Sequence, residues 1–234
     1  IVSRGEVFSR KFITQSSMDL GSRLGEEGYA FANVNAIPDV DEDSKQVEIT
    51  FFLDPGKRVY VRRINFDGNT KTRDVVLRRE MRQFESSWIS TVAVERSRVR
   101  LQRLGFFEEV NVETPAVSDS TDQVDVEFTV VEKPSGNLSA GLGFSQSQGI
   151  VINSTLNQEN FLGTGHRVGA NFSNSSANTR YGISWTNPYF TQDGVSLKFD
   201  SYFRSTNAQE SNVSDYSLEE LAAGLELGIP INEY

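Results

Sequence analysis

His166 is the only histidine of the 234 residues, and there is no cysteine. It lies in "GTGHRVG", at a turn-to-strand boundary. A His-containing triad or a multi-histidine metal site would need groups from outside the chain, and no thiolate site or disulfide framework is possible. The "GTG" of the same stretch does not match the dinucleotide fingerprint, because no helical pattern follows it. The carboxylates of "PDVDEDS", from Pro38 to Ser44, do not have the spacing of an EF-hand loop and read as a solvated hairpin. The arginines at 62, 63, 73, 78, 79 and 82 come with no nucleic-acid-binding motif. They read instead as a docking face for an acidic partner or for anionic headgroups. Covalent catalysis, cofactor chemistry, metal binding and nucleic-acid binding thus all lack residues to carry them, and no cofactor is expected. What remains is non-covalent chemistry, carried by strand edges, apolar faces and charge.

The chain carries a net charge of -9, and that charge is unevenly spread. Lys57 to Arg103 holds 13 Lys+Arg against 5 Asp+Glu, a local excess of +8, which leaves -17 for the rest. Such asymmetry marks a charged contact surface on one module. Within it, Arg78, Arg79 and Arg82, with Glu80 among them, are expected on a helix over "KTRDVVLRREMR", where 78 and 82 share a face.

An internal repeat sets the organisation. "LGEEGYAFANVNAIPDVDEDSKQVEITFFL" (24–53) aligns without a gap on "LQRLGFFEEVNVETPAVSDSTDQVDVEFTV" (101–130). Leu24 matches Leu101, Gly28 matches Gly105, Tyr29 matches Phe106, Pro38 matches Pro115 and Phe51 matches Phe128, all at one offset. The shared unit reads as helix, glycine stop, strand, polar loop, strand. Upstream of the second copy, "RVYVRRINFDGN" reads as a strand and turn. The second copy is therefore a complete β-α-α-β-β unit over residues 57–133. The first, residues 1–56, lacks its opening strand and first helix, so the chain is expected to begin inside a domain. Helices are expected over Thr14–Glu27 and Thr91–Leu104, with Tyr29, Phe106, Phe51 and Phe128 all buried.

From residue 134 onward helical signals nearly vanish and six period-2 runs follow. They centre on Leu138–Phe144, Ile150–Leu156, Val168–Phe172, Tyr181–Trp185, Val195–Phe203 and Leu221–Ile229. The opposite rows are mostly Gly, Ser, Asn and Thr. Aromatics cluster at strand ends: Trp185, Tyr189, Phe190 and Phe161. Small uncharged residues on one side and interfacial aromatics on the other suit a membrane β-barrel, whose low mean hydropathy (here -0.40) is no obstacle. A jelly-roll sandwich is the soluble alternative. In the barrel reading, Tyr181, Ile183 and Trp185 face lipid. Asn187-Pro188 then ends the strand, because proline cannot donate to a ladder, and Tyr189 and Phe190 lie at the interface.

Six motifs, "VLRREMRQFE", "RLGFFEEVNVET", "DQVDVEFTVVEK", "NQENFLGTGHRVGAN", "TNPYFTQDGVSL" and "LGIPINEY", occur in the order found in the BamA family. The chain resembles these outer-membrane β-barrel assembly proteins of Gram-negative bacteria over essentially its whole length. The resemblance implies α+β POTRA domains followed by antiparallel transmembrane β-barrel strands in an incomplete barrel. Residues 1–56 would be the C-terminal part of the fourth POTRA domain and 57–133 the fifth. Residues 134–234 would be the first six strands of a sixteen-stranded barrel. It implies a non-enzymatic role in folding and inserting barrel proteins, with client strands paired by β-augmentation at a seam whose first strand is Asn137, Leu138, Ser139, Ala140, Gly141, Leu142, Gly143 and Phe144. The implied partners are accessory lipoproteins, unfolded outer-membrane clients and outer-membrane lipids. The implied place is the outer membrane, with POTRA domains in the periplasm. Six strands do not close a barrel of known size, so the fragment alone is not expected to act. A related secretion pore of two-partner type and a soluble binding module are the competing functions.

Overall fold

A computed structural model describes residues 5–118, 120–146, 148–207 and 216–231. The chain divides into two compact units, residues 1–69 with 77–132, and residues 70–76 with 133–234.

The first unit holds both copies of the repeat. The first copy contributes helix α1 (Arg10–Glu26) and the antiparallel hairpin β1 (Asn33–Asp41) and β2 (Gln46–Asp54). The second supplies β3 (Tyr60–Asp67), α3 (Thr91–Arg103), β4 (Phe107–Glu113) and β5 (Gln123–Glu132), with the one-turn helix α2 (Asp74–Arg78) between β3 and α3. Its sheet order is β3-β5-β4, with β3 parallel and β4 antiparallel to the central β5. The period-2 pattern of "QVDVEFTVVE" places Val124, Val126, Phe128 and Val130 on one buried face. Val94 and Leu101 of α3, one face of a 3.6-residue period, are buried as well. Ser90 caps α3 by accepting a hydrogen bond from the Ala93 amide at 3.2 Å. Both repeat helices are followed by a glycine at positive φ, 97° for Gly28 and 75° for Gly105. Each is a left-handed stop that a side chain would strain.

Two expectations need correction. Phe106 and Phe128 are buried, but their counterparts Tyr29 and Phe51 are only half-buried. The first copy covers a two-stranded sheet with a single helix, so its apolar residues have fewer neighbours, and Phe31, Ile37 and Phe52 are exposed outright. The helix expected through Arg82 stops at Arg78. The chain turns there, with the Glu80 and Met81 amides bonded back to the carbonyls of Leu77 and Arg78, so residues 78 and 82 do not share a helical face.

The second unit is a six-stranded antiparallel meander in the order β11-β10-β9-β8-β7-β6. Its strands are β6 (Gly136–Ser145), β7 (Gly149–Phe161), β8 (His166–Asn174), β9 (Asn178–Asn187), β10 (Ser196–Asn207) and β11 (Ser217–Gly228). β9 ends at Asn187, where Pro188 withdraws a donor. Among the described residues β6 and β11 each pair on one side only, and no barrel closes.

Residues 70–76 belong to this second unit by their contacts with the turn between β7 and β8. There the Asn160 side-chain amide donates to Thr72 Oγ1 at 2.7 Å, and the Arg73 amide donates to the Gly163 carbonyl at 2.9 Å. Gly163 has φ 72°, and a Cβ on it would land on the Lys71 carbonyl. Gly163→Val is therefore expected to destabilise this turn by more than the roughly 1–3 kcal/mol of a left-handed non-glycine residue. Limited proteolysis at residues 160–165 checks it.

Candidate functional site

Strand register gives the sheet two chemically distinct faces. One row runs Leu138, Leu156, Ala170, Ile183, Ser201, Ala223, and the next runs Ala140, Ser154, Phe172, Tyr181, Phe203, Leu221. Trp185 lies in a third, between Val168 and Phe199. Much of this apolar face is uncovered: Leu142 is 81% exposed and Ile183 is 58% exposed. The opposite face carries the row Ser139, Thr155, Asn171, Gly182, Tyr202, Ala222. Charge on it concentrates in β9–β11. Lys198 pairs with Glu226 at 3.0 Å, Arg204 with Glu220 at 3.0 Å, Tyr202 Oη donates to Glu220 at 2.6 Å, and the Arg180 guanidinium lies 4.7 Å from the Tyr202 ring centre. A water-soluble sheet would turn its apolar rows inward. Here they face out while the ion pairs sit on the other side. Strands of nine to thirteen residues reach or exceed the ~9–11 needed to cross hydrocarbon at a tilt. Among the described residues no helix is long and apolar enough to cross a membrane.

In the full-length protein, Ile183→Arg is expected to cost about 2–4 kcal/mol if placed near the bilayer midplane, and Ser184→Arg on the polar face less. Folding titrations into lipid vesicles measure the difference, and equal costs would remove the lipid-facing assignment.

The residues flanking this face are placed as follows. Trp185 is half-buried, edge-on to His166 with ring centres 5.3 Å apart, so the lone histidine packs beside an aromatic. Asn187 Oδ1 accepts from the Tyr189 amide at 3.0 Å, and the Phe190 amide donates to the Val195 carbonyl at 2.8 Å, which closes the turn that displays Tyr189 and Phe190. The long polar loop between β10 and β11 falls mostly outside the described residues, as do the last three residues of "LGIPINEY".

β6 brings Asn137, Leu138, Ser139, Ala140, Gly141, Leu142, Gly143 and Phe144 to one edge of the sheet, paired among the described residues only with β7. A Cβ added at Gly141 or Gly143 would meet nothing within 4 Å. Gly169 and Gly182 differ, since their missing side chains make room for Ser184 and Asn171. Among the described residues no packing requires glycine at 141 or 143.

The arginine-rich segment is divided by burial. Glu80 is only 3% exposed and is held by Arg100 at 2.7 Å and by Arg79 at 3.7 Å, both largely buried. Arg79 and Glu80 therefore form an internal ion cluster, not part of an open face. Arg78 stays half-exposed. It donates to Glu85 at 3.3 Å and to the Ile64 carbonyl at 3.1 Å, and its guanidinium lies 5.3 Å from the Phe66 ring centre. Arg82 is partly buried and lines a cleft of about 350 Å³ with Glu26, Ser90 and Arg96. Sequence reasoning missed Glu85, which also accepts from the Ile64 amide at 2.9 Å. Its only signal was its place seven residues after Arg78. It also missed Asp125 on β5, whose carboxylate takes two hydrogen bonds from Arg62, one at 2.8 Å. Those bonds hold the Asp125 carboxyl below its ordinary value against the opposing effect of burial.

Comparison with known proteins joins these features. Residues 2–56 and 59–133 each match the POTRA model, described as a surface antigen variable number repeat, and residues 160–234 match the Omp85 superfamily domain. The outer membrane protein assembly factor BamA of Neisseria meningitidis serogroup B is 32% identical over 98% of this chain. BamA from Haemophilus ducreyi lacking POTRA domains 1–3 superposes with a TM-score of 0.88 at 37% identity, covering 99% of this chain and 44% of that one. The POTRA3–5 structure of Haemophilus influenzae BamA is 40% identical over 56% of this chain, with a TM-score of 0.53 and 52% of its own length covered. The chain spans about three-tenths of the Neisseria relative's length, 29%. The chain belongs to the POTRA family, carries a match to the Omp85 superfamily domain after its POTRA repeats, and is similar to BamA over almost its whole length.

Proposed function

We propose that this chain is part of an outer-membrane assembly factor that folds and inserts β-barrel proteins by lending a strand edge at a lateral seam. The observation that carries the reading is the meander, apolar and uncovered on one face, polar on the other, and open along β6. A client strand entering hydrocarbon with unpaired amides would lose several kcal/mol per group. An edge strand such as β6 supplies partners by β-augmentation. Residues 1–56 are the end of a fourth POTRA domain and 57–133 a fifth, both in the periplasm, and 134–234 begin a sixteen-stranded barrel in the outer membrane. The step is non-covalent and calls for no cofactor, and nucleic acid has no part in it. Unfolded outer-membrane proteins are the clients, outer-membrane lipids wet the face bearing Tyr181, Ile183 and Trp185, and accessory lipoproteins dock on the basic second copy through Arg78 and Arg82. Arg79 and Glu80 support that surface from within. Four relatives that match 90% or more of the chain are named as assembly factors, which supports assembly over secretion.

Glycines at 141 and 143 weaken β6 through their larger entropy loss and missing side chains, and among the described residues no neighbour requires them. In the full-length protein, replacing both with valine should stiffen the edge. Client folding in vesicles, read as heat-modifiable migration on a gel, is then expected to slow while the amount of inserted assembly factor stays the same. Unchanged client folding, together with no cross-link from a cysteine at position 142 to client strands, would overturn the seam.

A further inference from the structure

We propose that Gln158 and Gly136 form a key that sets the register of the seam strand β6 on β7, with Gln158 as a positioning residue. The proposal rests on the seam reading above and adds what keeps the strand edge at one height when a client strand pairs with it.

Most of β6 does little to fix its register. A slip of one residue would turn every side chain to the other face, but a slip of two keeps the faces, and glycine-rich strands are prone to slippage. Leu138 meets Leu156 and Phe144 meets Ile150. After a slip of two, Ala140 would meet Leu156 and Phe144 would meet Ile152, and that part of the face would stay apolar. Residues 136–144 are all exposed, and a Cβ on Gly141 or Gly143 would touch nothing. Ser139 Oγ donates to the Thr155 carbonyl at 3.5 Å, but every register offers it a carbonyl.

The root of the strand is different. One row of the sheet runs Gly136, Gln158, Val168, Trp185, Phe199, Leu225, so a side-chain amide stands on the otherwise apolar face. An amide there is unfavourable unless it is bonded. Gln158 Nε2 donates to Ser135 Oγ and to the Glu159 carbonyl, both at 2.8 Å. The Glu159 amide donates to the Ser135 carbonyl at 2.8 Å, and Arg167 of β8 holds the Glu159 carboxylate at 2.6 Å. To reach Ser135, the Gln158 side chain lies across Gly136. A Cβ on residue 136 would come within 2.5 Å of Gln158 Oε1.

Only glycine leaves that place open. Of residues 136, 138, 140, 142 and 144, which share the face, residue 136 alone is glycine. A slip of two brings Leu138 or Pro134 opposite Gln158. The amide could then swing aside only by leaving Ser135 and Glu159, and it would stand unbonded on the apolar face. The native register is the one in which glycine and glutamine coincide. A slip would move the edge by about 7 Å, and with it every amide and carbonyl offered to a client.

The test uses the full-length protein, freed of any other cysteine and inserted in lipid vesicles, with oxidation of paired cysteines on the polar face as the readout. Ser139→Cys with Thr155→Cys reports the native register. Ser139→Cys with Asn157→Cys, or with Asn153→Cys, reports a slip of two in either direction. Gln158→Ala is expected to raise the slipped cross-links about tenfold, the worth of one or two hydrogen bonds. Gly136→Ala, which adds a single methyl group, should raise them too. Gln158→Ala should also slow client folding, and the 139–155 disulfide should bring it level with the equally locked parent. A general loss of structure would not be relieved by that lock. Slipped cross-links at the parental level in both variants, or slowing that the lock does not relieve, would overturn the proposal. If slipped cross-links rise while client folding keeps its parental rate, the key stands and the seam reading falls.

Discussion

Glu80→Ala is expected to lower the stability of the first unit by about 3–5 kcal/mol, the usual cost of breaking a buried ion pair from one side. Glu80 accepts from Arg100 at 2.7 Å and lies 3.7 Å from Arg79. Removing it leaves two guanidinium groups, each mostly withdrawn from water, with their shared counter-charge gone. The loss exceeds the worth of the contacts themselves, since both guanidinium groups stay largely buried after the carboxylate is removed. Replacing Arg79, Glu80 and Arg100 together by methionine should recover most of it, because a well-packed apolar cluster matches a buried ion cluster in stability. Urea unfolding followed by the fluorescence of Trp88, with Trp185 changed to Phe, reads both variants. A loss under about 1 kcal/mol for Glu80→Ala would place the cluster in the exposed class of ion pairs.

Phe128→Ala is expected to cost about as much, roughly 3–5 kcal/mol, by a different route. Phe128 is fully buried at the centre of the three-stranded sheet. It pairs with Phe66 on β3 and Val112 on β4, and its ring stacks on Phe66 with centres 5.7 Å apart. Truncation opens a cavity between two strands that both depend on β5. Phe51→Ala at the equivalent place in the first copy should cost clearly less, because Phe51 is already half in water. The same fluorescence readout applies to Phe128. Equal losses at the two positions would mean that the first copy is packed as tightly as the second.

These two positions also show what the sequence makes legible. The strands of both units were readable because period-2 alternation is local. The glycine stops at 28 and 105 were readable because a left-handed residue has few substitutes. The faces of the meander followed from parity alone, so Tyr181, Ile183 and Trp185 share one face and Ser184 and Thr186 the other. Burial that depends on distant partners was not readable. "RREMR" has the composition of a solvated helix, yet Arg100, twenty residues on, draws Glu80 inward. Gln83 reads as a surface residue, and only the fold of its own loop shows that its amide is consumed inside. Tyr29 and Phe51 match their counterparts in sequence, but the repeat does not carry the neighbours that would bury them.

The parallel pairing of β3 with β5 has a kinetic consequence. Tyr60 meets Gln123 and Asp67 meets Thr129, so the second copy cannot complete its sheet until a strand some sixty residues downstream arrives. Every pairing in the meander, by contrast, joins strands consecutive along the chain. Closing a long loop must precede any gain from the contacts it permits, and topologies dominated by distant pairs fold slowly. During synthesis, the β3 edge and the apolar residues Val61 and Ile64 stay open from the emergence of Asp67 until Gln123–Glu132 follows. That interval is when the nascent domain has most to gain from a holdase.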